Sequence, residues 1–341
     1  MSKVNTGYFF EDYHIGQVFE HATPRTVTHG ERALYTGLYP TRFALYSSDE
    51  FARGCGLPES PLEDLAAFHI VFGKTVPDIS LNAVANLGYA ECLFLKPVYA
   101  GDTLSTRSEI IGLKQNSSGK NGVVWVRSTG TNQRGEAVLS YVRWVMVKKR
   151  DIDAAAPKTV IPELKAALAP AELPLPEGLD FSGYNFAQAG EKHRLADYEI
   201  GEEIDHVDGV TIEEAEHMIA TRLWQNTAKV HFDASQRPDG KRLIYGGHVI
   251  SMARALSFNG LANAQMVVAI NAGSHTNPCF AGDTVRARST VLDKAEIGGI
   301  GAIRLRLQAY TGDTGQSLEK LDGKPPAHLL LDLDYWALMP R

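Results

Sequence analysis

The sequence predicts an α+β fold in which one unit occurs twice, each copy a curled antiparallel sheet around a single buried helix. Three observations carry this reading. Two motifs recur at nearly equal offsets, both copies run through the same order of helical and strand periodicities, and each contains one helix that is apolar around most of its circumference.

The repeat sets the frame for every other element. Asp12-Tyr13-His14-Ile15-Gly16 matches Asp197-Tyr198-Glu199-Ile200-Gly201, an offset of 185, and the same offset pairs His21 with His206 and Thr26 with Thr211. Further on, the segment from Pro97 to Ser108 matches that from Pro278 to Ser289 at an offset of 181, with seven of twelve positions identical, among them Ala-Gly-Asp-Thr. Ordered matches at two such offsets point to duplication. The stretch between the copies is rich in Ala and Pro, from Ala154 to Gly178, and reads as a connection with a short helix over Pro162 to Leu168. The expected division is 1–150, a connecting segment 151–185, and 186–341.

Within each copy the elements follow in order. A first helix is expected over Glu31 to Leu38 and over Glu213 to Trp224. The buried helix comes next. In the first copy Ser60-Pro61-Leu62-Glu63 has the spacing of a capping box with Pro at the first helical position, ahead of Leu65, Ala66, Phe68, Ile70 and Val71. In the second, Gly246-Gly247 precedes a helix over His248 to Ser257 that carries Val249, Ile250, Met252, Ala253, Ala255 and Leu256. Strands are expected over Val123 to Thr131 and Ala137 to Val147, joined by the turn Asn132-Gln133-Arg134-Gly135. Ala302 to Tyr310 and Ala327 to Leu338 repeat the pair around an insertion.

Composition narrows the function. Of 341 residues 44% are hydrophobic and 22% charged, the balance of a globular protein. A net charge of −6 with dispersed Lys and Arg leaves no footprint for nucleic acid or anionic lipid. The opening residues Met1 to Tyr8 lack an apolar leader core, no apolar run is long enough to span a membrane, and Cys55, Cys92 and Cys279 lack metal spacing. A cytoplasmic protein with reduced cysteines is expected. No phosphate loop or dinucleotide fingerprint occurs, so no cofactor is expected.

A sheet wrapped on one helix, with Ala-Gly-Asp-Thr at a strand edge in both copies, resembles the MaoC-type or (R)-specific enoyl-CoA hydratases of the hot-dog superfamily. The runs Phe68 to Asp78, Asn82 to Ala90 and Val126 to Gln133 are similar to the mesaconyl-CoA hydratase branch. The resemblance implies a double hot-dog and a hydro-lyase acting on a small-molecule acyl-CoA, and such proteins commonly form homo-oligomers. The substrate, a 2-methylfumaryl thioester, comes from the resemblance alone.

The family's site motif, an Asp and a His five residues apart, falls on Asn226 and His231. His231 is the expected proton acceptor. Asn226 replaces the carboxylate with an amide that can only orient water, so Asp233 or Asp49 is a candidate helper. An ungapped offset of 185 sets Thr41 and Tyr46 opposite this pair, so the first copy lacks an acid–base couple. Gly246 and Gly247 are candidates for backbone donors to the thioester oxygen, and His248 is a pocket candidate. Lys229, Arg222 and Arg42 are candidates for the anionic parts of the substrate, Arg42 for its free carboxylate. A thioesterase remains open, because the first buried helix, read from Ser60, carries Glu63 and Asp64. So do another short enoyl-CoA substrate and a non-catalytic acyl-CoA-binding protein.

Overall fold

The computed structural model describes residues 3–320 and 322–341; Met1 and Ser2, part of the segment read for a leader, lie outside the described residues. The first copy runs β1 (Val18–Thr26), α1 (His29–Leu38), α2 (Ala44–Ser47), α3 (Asp49–Gly54), α4 (Asp64–Thr75), β2 (Ala83–Phe94), β3 (Thr103–Gln115), β4 (Asn121–Thr131) and β5 (Ala137–Lys148). After the single turn α5 (Phe186–Ala189) the series recurs as β6 (Glu203–Thr211), α6 (Glu214–Leu223), α7 (Lys229–Phe232), α8 (Gly246–Leu256), α9 (Phe258–Leu261), β7 (Met266–His275), β8 (Thr284–Ile297), β9 (Ile300–Thr311) and β10 (Leu329–Met339).

The ten strands form one antiparallel sheet in the order β1-β3-β4-β5-β2-β7-β10-β9-β8-β6. The order reads the same from either edge, so the protein is the double hot-dog that the repeat predicts. The copies join at β2 and β7, where Tyr89 faces Gly273 and Cys92 faces Ile270. The matched residues make matched contacts. His21 Nε2 lies 2.8 Å from Ser108 Oγ and His206 Nε2 lies 2.8 Å from Ser289 Oγ. The Ala-Gly-Asp-Thr segments are turns: Gly101 and Gly282 have φ of +96° and +93°, and Asp102 and Asp283 accept from the amides of Tyr99 and Phe280. That signature is explained by backbone geometry rather than by chemistry.

Each sheet half wraps one helix. Every residue of α4 is buried, and so is α8 from Gly247 onward. The two helices meet in a common core with Trp224, Tyr245 and Phe72. Polar side chains bond across this contact: Ser251 of α8 accepts from Tyr35 and contacts His69 Nε2 at 2.7 Å. One close approach needs a glycine. At Gly73 a Cβ would lie 1.8 Å from the Trp224 carbonyl oxygen, so only glycine lets α4 touch the chain leaving α6.

Three expectations are corrected. Helix α4 starts at Asp64 and no side chain caps it, so Ser60 to Glu63 is not a capping box; the Ser60 amide bonds Asp49 and the Leu62 amide bonds Val98, which holds this stretch extended. Gly246 and Gly247 form the first turn of α8 instead of preceding it. No helix forms over Pro162 to Leu168; the connection pairs Val160 with Leu113 and buries Leu168, Leu173 and Phe181 on the sheet, whose surface supplies more stabilisation than a short helix could. No helix among the described residues is long and apolar enough to cross a membrane.

Candidate active site

A cleft of about 420 Å³ opens between the copies. The second copy contributes the loop from Asn226 to His231, the start of α8, and the segment after β7. The first contributes the π-helical turn Val76–Ser80 that follows α4, the start of β2, and the inner face of β5. His231, Asn226, Lys229 and Gly246 all line it.

The chain conformation explains the position of His231. Helix α7 is one turn, tied down by the Leu243 amide to Val230 and the Ile244 amide to Cys279. His231 Nδ1 lies 2.7 Å from the Leu243 carbonyl oxygen. A carbonyl only accepts, so Nδ1 carries the proton and the Nε2 lone pair is left free. Burial pushes this imidazole down to about 4, against a smaller opposing effect of the Leu243 hydrogen bond. It is therefore a neutral base at pH 7.

Asn226 is 1% exposed. Its side-chain oxygen accepts from the Ala228 amide at 3.2 Å, which holds the loop, and its NH2 has no protein partner among the described residues. The NH2 of the amide is thus left available to donate. The amides of Gly246 and Gly247 likewise have no protein acceptor among the described residues, as expected for the first turn of a helix. Gly246 faces the cleft, and a Cβ there would lie 2.4 Å from the ring of His275. Gly247 is buried between Tyr245 and His69 and does not line the cleft.

Several predicted residues lie elsewhere. His248 is fully buried against Tyr39, 3.0 Å from its hydroxyl, because its place on α8 turns it into the core. Arg42 is exposed and stacks on Phe258 at 4.4 Å, and Arg222 is exposed on α6; neither lines the cleft. Asp233 is exposed and bonded to Ser235 and Gln236, and Asp49 is paired with Arg32, so neither candidate helper reaches it. None of the lining residues is Asp or Glu. Among the described residues no group of acidic, His and Cys side chains is placed to hold a metal.

The structure also brings in residues that spacing did not flag. His275 ends β7, with its Nε2 3.1 Å from the hydroxyl of Tyr89. Burial pushes His275 down to about 4, helped by the nearby His231, and holds the Tyr89 phenol protonated. Arg143 and Lys148 come from β5. In the first copy the matching positions are filled. Tyr46 donates to Asp64, which also accepts from the Val267 amide at 2.8 Å, and Thr41 donates to Glu63 at 2.6 Å. Burial pushes the Asp64 carboxyl up to about 8.

The buried imidazoles have a consequence for stability. Burial holds His206, His231, His248 and His275 at about 4, His69 at about 3 and His217 at about 2. Below the unfolded value of about 6.5 the unfolded chain takes up protons that the fold refuses, so stability falls as pH drops from 6.5 toward 4. Each group costs up to about 2 kcal/mol at pH 5. Asp64 acts in the opposite direction between 8 and 4, as does Glu63, whose carboxyl burial also pushes up, but the six imidazoles outnumber these two carboxyls. Thermal unfolding is expected at a clearly lower temperature at pH 5 than at pH 7.5; an equal or higher Tm at pH 5 would contradict the buried neutral cluster.

Residues 2–315 match the family model described as mesaconyl-CoA hydratase. The chain is 67% identical over 342 residues to a mesaconyl-CoA hydratase of Cereibacter sphaeroides, covering 99% of this chain and 100% of that one. It is 56% identical over 348 residues to a β-methylmalyl-CoA dehydratase of Chloroflexus aurantiacus, covering 100% and 99%. A crystal structure of a MaoC domain protein dehydratase from Chloroflexus aurantiacus superposes with a TM-score of 0.97 at 55% identity, covering 100% of this chain and 99% of that one.

Proposed function

The chain belongs to the mesaconyl-CoA hydratase family, and from that premise we propose that its cleft adds water reversibly to mesaconyl-CoA, giving β-methylmalyl-CoA, with His231 as the base. One observation carries the assignment: His231 Nε2 is a free, neutral lone pair in a cleft whose lining contains no carboxylate.

The substrate is a thioester whose α-carbon bears a methyl group and whose β-carbon bears a carboxylate. Nε2 of His231 takes a proton from water as the water oxygen bonds to the β-carbon. The π electrons move onto the thioester, and the charge grows on its oxygen. The Gly246 amide at the start of α8, with the adjoining Gly247 amide behind it, is a preorganised donor for that oxygen. The imidazolium then returns its proton to the α-carbon, and the charge collapses. Dehydration is the same path reversed. Asn226, with its oxygen held by Ala228, donates from its NH2 and leaves proton transfer to the imidazole. Lys148 and Lys229, both exposed at the cleft and with no carboxylate partner among the described residues, supply positive charge for the CoA phosphates.

The thioesterase alternative is disfavoured, because Glu63 and Asp64 are bonded to Thr41 and Tyr46 away from the cleft. The test is direct. With mesaconyl-CoA, the conjugated thioester absorbance is expected to decay with no free thiol released. Thiol release would indicate hydrolysis, and a stable absorbance with bound ligand would indicate a binding protein.

A further inference from the structure

Arg143 is the most unusual charge in the molecule. It lies on the inner face of β5, has no exposed surface, and lines the cleft. Its Nη2 donates to Thr75 Oγ1 at 2.8 Å and to Ser80 Oγ at 3.3 Å, and its Nη1 to Asn86 Oδ1 at 3.4 Å. Nε is buried with no partner, and the guanidinium sits over the Phe72 ring at 4.3 Å. All these partners are neutral. Among the described residues Arg143 has no ion pair, and no acid lines the cleft.

A guanidinium stays protonated at any pH a protein survives, so burial cannot neutralise it. Left without an anion, a buried charge is strongly destabilising, and a chain that only needed to fill this space would do better with an apolar side chain. Two of its three hydrogen bonds are long, which leaves donors able to turn toward a better acceptor. The site is built for an anion that arrives from solvent through the cleft. A carboxylate matches the fork with two parallel bonds.

We infer that Arg143 is the specificity residue that binds the substrate's free carboxylate and so selects diacid thioesters over monoacid ones. This inference rests on the hydratase reading above and says which end of the substrate each copy holds. The second copy, through Gly246 and His231, takes the thioester and the reacting water. The first copy, through Arg143, takes the carboxylate attached to the carbon that the water attacks. Arg143 also sets the position of that carbon against His231. The carboxylate role considered for Arg42 thus passes to Arg143.

The test compares mesaconyl-CoA with 2-methylbut-2-enoyl-CoA, which keeps the skeleton and puts a methyl group in place of the carboxylate. The wild type is expected to favour the diacid by about 10³-fold or more in kcat/KM, since a site built to pair a polar group rejects an analogue lacking it. In Arg143→Met that preference is expected to fall to within about tenfold, mostly through KM for the diacid, with Tm unchanged or higher because an unpaired buried charge has been removed. Arg143→Lys should fall between, keeping charge without the fork. Equal proportional losses for both thioesters in Arg143→Met, or a wild type that does not discriminate, would overturn the inference. If Arg143→Met does not fold, the discrimination ratio of Arg143→Lys decides, and an unchanged ratio there counts against the assignment. A wild type that hydrates neither thioester refutes the hydratase reading instead.

Discussion

His231→Gln is expected to lower kcat for mesaconyl-CoA by about 10³ to 10⁴-fold, the range for loss of a positioned proton-transfer group, with KM little changed. Glutamine can still donate to the Leu243 carbonyl that Nδ1 now contacts at 2.7 Å, so the loop should hold and Tm should stay near the wild-type value. What disappears is the only basic nitrogen in the cleft whose ring partner fixes its tautomer. The active form is the neutral imidazole, so wild-type kcat/KM should stay level from neutral pH down to about 5 and fall only near 4, where burial places this group. The measurement is steady-state hydration across that range with circular dichroism as a check on the fold. If His231→Gln keeps more than a tenth of wild-type kcat, or if His275→Gln causes the larger loss, the assigned base is wrong.

Gly73→Ala should cost about 3 kcal/mol of stability, at the upper end for inserting one carbon into a packed contact, and lower kcat by roughly 10²-fold. The added Cβ would sit 1.8 Å from the Trp224 carbonyl oxygen and 3.3 Å from the Asn226 amide nitrogen. Both are backbone atoms that cannot rotate away. The strain therefore pushes α4 of the first copy against the segment that carries Asn226 and His231. Gly37→Ala is the matched control. Gly37 lies within α1 with nothing within 4 Å of its added Cβ, and the same change there should stabilise by about 0.5–1 kcal/mol. Urea unfolding of the two variants checks both signs. Equal stability of the two would remove the argument that this contact couples the copies.

Much of the fold was legible, because periodicity and repetition are local records of burial. The strands β4, β5, β9 and β10 and the helices α1 and α6 fall where alternation and helical spacing place them. Element starts were less legible. Ser60 to Glu63 has a helix-capping spacing yet is held extended by Asp49 and Val98, which are contacts a local pattern does not record. The segment from Pro162 to Leu168 fails for the same reason, since the sheet beneath it decides its conformation.

The site was legible only in part. His231 and Asn226 came through a motif, and Gly246 through the chemistry of a helix start. His275 ends a strand with no spacing to mark it. Arg143 did leave a trace: it shares its parity on β5 with Leu139, Tyr141, Val145 and Val147, all buried. A lone arginine on the inward face of a strand was therefore readable as a buried charge.

Sequence alone determined the duplication and the antiparallel wrap around buried helices, because short motifs and local periodicities recur in each copy. Tertiary structure alone decided that the cleft lies between the copies, that its lining contains no carboxylate, and that Arg143 rather than Arg42 lines it. Those outcomes depend on strands β2 and β7 pairing across some 180 residues of chain, and no local pattern carries information about which side chains such a pairing brings face to face.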